Sequence, residues 1–150
     1  MRGAPAAPAA AGGWWPVIAA GIAYYALAFG AGFVLGTARV LLLVPRIGER
    51  TAELLEMPVM LVVVIIAARF VTRHFALAPT AFASLAVGAL AVALLVATEL
   101  TVVLAVRGTT LADYLDTRDP VAGLVYVALL GCFALMPLLV RPRDRVRRSG

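Results

Sequence analysis

The chain has 150 residues, of which 63% are hydrophobic and 14% are charged, with a formal net charge of +5 and a mean hydropathy of +1.00. A soluble domain averages roughly 45–50% apolar and about 25% charged residues, so this composition excludes a water-soluble globular protein. The positive charge does not indicate nucleic-acid binding, because the arginines stand at the ends of apolar runs, where they set membrane topology and contact anionic headgroups. All 13 basic residues are arginine, and together with the high content of Ala, Gly and Val this indicates GC-rich, bacterial coding.

The first long apolar run predicts a membrane span from about residue 17 to 44, since a helix needs about 20 residues to cross ~30 Å of hydrocarbon. Pro45 and Gly48 follow the run and are expected to end the helix. Residues 1–13 are rich in Ala, Pro and Gly, and we expect them to form a disordered leader. Cleavage of this leader is not expected, because the apolar run exceeds the ~7–15 residues of a signal-peptide core.

Three further apolar runs predict membrane spans, at about residues 54–71, 80–106 and 121–140. The second span is short, which places Glu56 and Arg69 at opposite membrane borders and Pro58 in the first turn of its helix. Asp119 and Pro120 are the expected cap and first-turn proline of the fourth span. The predicted fold is therefore an all-α membrane protein in which four transmembrane helices form a bundle.

Arginine counts predict the orientation of the four spans. Both termini share one side of the membrane with the loop between the second and third spans, and this side holds eight arginines: Arg2, Arg69, Arg73, Arg141, Arg143, Arg145, Arg147 and Arg148. The other side holds the remaining five. The positive-inside rule therefore predicts cytoplasmic termini and a multi-pass protein of the bacterial inner membrane.

A basic tail at residues 141–150 follows the fourth span. Its arginines are Arg141, Arg143, Arg145, Arg147 and Arg148. Near a bilayer surface each arginine contributes about 1 kcal/mol of binding to anionic lipid. The alternative is that the tail only provides the orientation signal, and the two roles are compatible.

Three charged residues lie within the predicted spans at a similar depth, near the outer ends of their helices: Arg39, Glu56 and Glu99. An unpaired charge in lipid costs roughly 2.5–3.5 kcal/mol on insertion scales, so we expect Arg39 to pair with Glu56 or Glu99. One interpretation is a proton- or cation-responsive carboxylate beside an arginine. The other is a structural ion pair that fixes the rotation of the helices, or an arginine that extends to the headgroups on its own.

Small residues recur every four positions in two of the spans: Ala28, Gly32 and Gly36 in the first, and Ala89, Ala93 and Ala97 in the third. A stripe of small residues allows another helix to approach closely. The stripe in the first span therefore predicts either contact with a second copy or a membrane-protein partner, or packing among the chain's own helices. The stripe in the third span is a weaker equivalent.

The remaining reactive residue types give no sign of catalysis. His74 is interpreted as an interfacial residue, because haem ligation by two histidines would need one from another chain. Cys132 is expected to be a small core residue, and Tyr24, Tyr25 and Tyr126 are expected to pack or to bond a neighbouring helix. Metal-ligand spacing and a Gly-rich phosphate loop are absent from the sequence. We therefore expect no enzymatic activity, no metal and no cofactor.

Several short stretches in the first half share a pattern: GFVLGTARV at 32–40, PRIGE at 45–49, AE at 52–53, EMP at 56–58 and AR at 68–69. In these stretches, which fall within residues 17–75, the chain resembles a family of small four-helix bacterial inner-membrane proteins. The resemblance implies a four-helix membrane protein. It implies no activity, cofactor or functional residue.

Two classes of function fit the sequence. The first is a non-enzymatic accessory or assembly subunit that packs against a larger membrane complex or against itself, which the small-residue stripes and short loops favour. The second is a small homo-oligomeric transporter or channel, linked to protons or cations, that uses Glu99 or Glu56 with Arg39. The expected partners are the lipid bilayer with its anionic headgroups and a membrane protein or second copy, and no nucleic acid. The sequence alone favours the first class.

Overall fold

The structure, a computed structural model, describes residues 13–75, 77, 80–107 and 120–141. These residues form four long helices, with two shorter helical segments between the first and the second, and no strand occurs among them. The elements in chain order are α1 (Trp14–Ala38), a π-helical segment (Arg39–Leu43), α2 (Val44–Ile47), α3 (Glu49–His74), α4 (Ala81–Arg107) and α5 (Pro120–Leu139). The predicted leader, the Asp119 cap and the tail arginines from Arg143 onward lie outside the described residues.

Three described segments are long and apolar enough to cross a membrane: Trp14–Ile47, Glu49–His74 and Ala81–Val102. A shorter apolar stretch, Gly123–Leu139, lies within α5. Large apolar side chains on all four helical segments point outward and are more than half exposed, among them Phe33 (68%), Ile66 (61%), Phe82 (67%) and Leu124 (72%). Hydrocarbon solvates a continuous apolar surface of this kind, whereas water does not. The prediction of an all-helical chain with long apolar helices is therefore confirmed.

Of the two residues expected to end the first helical segment, Gly48 does so, but Pro45 does not, since the segment continues to Ile47. Proline has no N–H, and its ring collides with the carbonyl four residues earlier in a regular α-helix. The π-helical segment Arg39–Leu43 lies immediately before this position, and its wider turn relieves the collision. Gly48 ends the segment with φ 79° and ψ 162°, a backbone conformation reserved almost entirely for glycine.

The helix α3 begins at Glu49, ahead of the predicted span, and Pro58 lies in its interior rather than in its first turn. The predicted position of Pro58 in the first turn was wrong, because hydropathy marks the apolar part of a helix and not the whole helix. Gly48 makes a backbone hydrogen bond to each of the two helices that meet at this turn. Its N–H donates to the Val44 carbonyl at 3.0 Å, and its carbonyl accepts from the Ala52 N–H at 3.1 Å. A single residue therefore separates α2 from α3.

The four long helices pack in a closed ring, in which α1 and α5 each contact both α3 and α4. Small and medium side chains form most of the core: Ala20, Tyr24 and Ala28 from α1, Val64, Ala67, Ala68 and Val71 from α3, Val87 and Ala91 from α4, and Phe133 and Met136 from α5. Small side chains allow the helices to approach closely and gain dispersion contacts along their length.

Two tyrosines of α1 bond neighbouring helices, as the sequence predicted. Tyr24 is fully buried, and its hydroxyl donates to the carbonyl of Phe133 at 3.0 Å. The two rings stack with their centroids 4.4 Å apart. The hydroxyl of Tyr25 lies 2.8 Å from Oγ1 of Thr98 in α4. These bonds tie α1 to both α5 and α4.

The closest backbone approach found among the glycines occurs between α4 and α5. A Cβ atom added to Gly88 would lie 1.9 Å from the carbonyl oxygen of Ala134 and 2.8 Å from its carbonyl carbon. Because the neighbouring atoms belong to the backbone, no side-chain movement relieves this contact. Gly88 is therefore required for the packing of these two helices.

We expect Gly88→Ala to lower the free energy of unfolding by about 1–3 kcal/mol, the usual cost of overpacking. Gly131→Ala is the matched control, because a Cβ there meets nothing within 4 Å. Since alanine is favoured over glycine within a helix by roughly 1 kcal/mol, this control should be neutral or slightly stabilised. Thermal unfolding of both variants in detergent provides the measurement. Equal melting temperatures would contradict the close approach.

Candidate functional site

A partly open cavity of about 690 Å³ lies between the helices, toward the end at which α1 passes into the π-helical segment. All four long helices contribute to its wall. The wall is mostly apolar, but it contains four charged residues: Arg39, Glu53, Glu56 and Glu99. A volume of this size falls within the range of small-molecule sites, about 300–1,000 Å³.

Arg39 and Glu56 form an ion pair in the wall of this cavity. The Nε atom of Arg39 lies 3.1 Å from Oε2 of Glu56, and the two side chains are 26% and 14% exposed. Both atoms are buried and make no hydrogen bond to a described residue, so the contact is electrostatic. Of the two predicted partners of Arg39, the structure selects Glu56.

Glu99 has a different partner, in α5. The hydroxyl of Tyr126 donates a hydrogen bond to Oε2 of Glu99. The sequence predicted that Tyr126 would pack or bond a neighbouring helix, which is confirmed, but it did not identify Glu99 as the acceptor. Arg39, Glu56 and Glu99 nevertheless line one cavity, while their common depth in a membrane stays a prediction.

Glu53 is a cavity residue that sequence reasoning missed. It precedes Glu56 by three positions in α3, and residues at this spacing share one face of a helix. That spacing is the signal from which it could have been found. Among the described residues, no hydrogen bond or ion pair is made by its carboxylate.

The cavity wall carries more acid than base. One arginine and three glutamates line it, which gives a net charge of −2 when all four are ionised. Glu56 is balanced by Arg39, and Glu99 receives one hydrogen bond from a neutral hydroxyl. A hydrogen bond from a neutral donor does not cancel a charge. The arrangement is therefore suited to bind a cation or to hold protons.

The glycines of the first-span stripe leave space rather than create a close helix contact. Ala28 is buried in the core. Gly32 and Gly36 line the cavity. A Cβ at Gly32 would lie 3.5 Å from Cε of Met60, and a Cβ at Gly36 would meet nothing within 4 Å. The second stripe, at Ala89, Ala93 and Ala97, faces outward.

Other residues singled out in the sequence lie away from the cavity. Cys132 is exposed, contrary to the expectation of a core residue, because Phe133 and Met136 form the buried face of α5. His74 is exposed at the end of α3 and stacks on Phe70 with ring centroids 5.3 Å apart. Arg141 follows α5, and the other arginines of the basic tail, Arg143, Arg145, Arg147 and Arg148, lie outside the described residues.

Comparison with protein-family models, with curated proteins and with solved structures found no match. Function is therefore inferred from the side chains of the cavity and their geometry. In the part of the chain that the structure describes, no three His, Cys, Asp or Glu side chains are grouped so as to hold a metal ion. The cavity offers carboxylates, a guanidinium and a phenol.

A double-mutant cycle tests the ion pair. Because Arg39→Leu or Glu56→Leu leaves one charge unpaired, each should lower the free energy of unfolding by roughly 2.5–3.5 kcal/mol. The double variant should lose less than the sum. Arg39→Leu combined with Glu99→Leu is the control and should be additive within about 0.5 kcal/mol. Denaturation in detergent measures all five variants. Additive losses in both doubles would show that Arg39 pairs with neither acid.

Proposed function

We propose that this chain is a non-enzymatic, multi-pass protein of the bacterial inner membrane, a bundle of four transmembrane helices with both termini in the cytoplasm. Three described segments of membrane-spanning length and composition support this proposal. So does α5, which has 20 residues, about the number needed to cross the hydrocarbon. The arginine asymmetry supports the orientation.

Reporter fusions test this topology. A fluorescent protein at the C-terminus should fluoresce, and alkaline phosphatase at the same place should be inactive, because the phosphatase folds only outside the cytoplasm. Phosphatase inserted after Thr110, between the third and fourth predicted spans, should be active and serves as the positive control. Strong phosphatase activity from the C-terminal fusion would contradict the orientation and the number of spans.

We further propose that the protein binds cations in its cavity in exchange for protons, as a small homo-oligomeric transporter. The observation that carries this proposal is the surplus of carboxylates in the cavity wall. In a membrane, a carboxylate without a counter-charge is stable only when it is protonated or neutralised by a cation. Glu99 and Glu53 are the residues whose negative charge a cation would neutralise in place of a proton. Glu56 already has Arg39 as a counter-charge.

A second candidate, an accessory or assembly subunit, is favoured by one observation. The small residues Ala89, Ala93 and Ala97 of α4 are exposed and form a flat face that no other helix of this chain covers among the described residues. A helix of a membrane-protein partner, or of a second copy, could approach this face closely and gain dispersion contacts that lipid does not match.

Proton movement in liposomes tests the transport proposal. We expect a cation gradient to drive protons through the wild-type protein, as reported by a trapped pH-sensitive dye. Glu99→Gln keeps the size of the side chain and its ability to accept a hydrogen bond but removes the titrating group, so proton movement should fall to the level of empty liposomes. Glu49→Gln is the control, because Glu49 is exposed and does not line the cavity.

Two results would contradict the transport proposal. One is equal proton movement in Glu99→Gln and wild type. The other is the absence of any cation-dependent proton movement in folded wild-type protein. If, in addition, a membrane protein co-purifies at fixed stoichiometry with wild type but not with Ala93→Leu, the accessory role is supported instead.

A further inference from the structure

The walls of the cavity differ from those of an inorganic cation site. Aromatic and aliphatic side chains make up most of the lining, including Phe29, Phe33, Leu95, Leu129 and Phe133. A hard metal ion takes about six oxygen ligands at 2.0–2.6 Å. Within the described residues, the carboxylates are not grouped closely enough to supply such a set.

The polar groups of the cavity are also spread over its wall rather than gathered at one point. Glu56 is held by Arg39 between the π-helical segment and α3, whereas Glu99 is held by Tyr126 between α4 and α5. A ligand that contacts Glu99 therefore meets apolar walls on its other sides. Aromatic faces such as those of Phe29 and Phe33 attract a positive charge with hydrophobic substituents.

The cavity has room for a bulky ligand because of two glycines. At Gly36 the position of a Cβ is free of any atom within 4 Å, and at Gly32 the nearest atom is the flexible end of Met60. Two lining residues, Phe33 and Leu41, are each 68% exposed, so the cavity lining continues onto the apolar outer surface of α1 and the π-helical segment. In the proposed membrane arrangement, a molecule dissolved in the hydrocarbon would meet this part of the lining first.

We infer that the ligand of this cavity is a lipophilic organic cation, a single positive charge carried by aromatic or aliphatic groups, which enters from the hydrocarbon. The inference rests on the proposed cation-binding role and names the class of cation. The charge lies beside Glu99, and the hydrophobic groups fill the space over Gly32 and Gly36. A ligand with one charge and several hydrophobic groups matches a cavity whose carboxylates are dispersed in a mostly apolar lining.

Binding of tetraphenylphosphonium to the purified, detergent-solubilised full chain tests this inference. Tetraphenylborate has the same shape and the opposite charge, and protein-free micelles correct for partition. We expect saturable binding of the phosphonium and none of the borate. Glu99→Gln should weaken phosphonium binding by about tenfold or more, since one ion contact in a partly dry site exceeds 1.4 kcal/mol. Glu49→Gln, outside the cavity, should bind as wild type does.

A steric variant keeps the test decisive if the charge variants fold poorly. Gly36→Leu retains every charge and fills the space in the cavity, so it should lose phosphonium binding by about tenfold or more, the effect of one steric clash of 1.4 kcal/mol. Gly30→Leu is the matched control, because Gly30 also has nothing within 4 Å, lies on the same helix and does not line the cavity. Equal binding by the two leucine variants, or equal binding of phosphonium and borate by wild type, would overturn the inference.

The same preparation separates this inference from the broader proposal. If Na⁺ or K⁺ releases protons from wild type but not from Glu99→Gln, while tetraphenylphosphonium is not bound, the inference on ligand class is wrong and the cation-exchange proposal stands. If neither kind of cation binds or releases protons, both are wrong. Phosphonium binding without proton release supports the ligand class and contradicts the exchange.

Discussion

The tight turn at Gly48 determines how the charged residues meet. Arg39 lies nine residues before Gly48 and Glu56 lies eight after it, so at 1.5 Å per residue the two side chains stand about 13 and 12 Å from the turn. Because α2 and α3 are separated by this one residue, the antiparallel helices cannot slide past each other. The short connection thus fixes an ion pair that hydrocarbon then makes costly to separate.

Glycine has two opposite uses in this chain, and sequence spacing alone does not distinguish them. Gly88 allows the backbones of α4 and α5 to approach, because a Cβ would overlap Ala134. Gly36 has no neighbour at that position and instead leaves a volume open in the cavity wall. The regular spacing of Ala28, Gly32 and Gly36 predicted a helix contact, but Gly32 and Gly36 line the cavity instead. The glycine required for helix packing is Gly88, which belongs to no such pattern.

Hydropathy predicted four long helices because each apolar run is hydrophobic on every face of the helix and about as long as a membrane span. It misplaced the start of α3, since the acidic stretch Glu49–Glu53 is helical yet polar. The extension of the first helix past Pro45 also escaped prediction, because a π-helical turn has no signature in hydropathy. The partners of Arg39 and Glu99 depend on which helices are neighbours in the ring, and composition carries no such information. The sequence does show, however, that Arg39 and Glu56 lie at nearly the same number of residues from Gly48, and this similarity identifies Glu56 as the partner.

The excess of glutamates over arginines in the cavity wall distinguishes a binding role for the cavity from a purely structural one. A purely structural ion pair needs one glutamate for one arginine, and Arg39 with Glu56 satisfies this. Glu53 and Glu99 add two carboxylates that no arginine of the cavity balances, and each adds a desolvation cost that a stability argument does not explain. Tyr126 orients Glu99 without neutralising it. Under the proposed function, a positively charged ligand in the cavity would offset this cost.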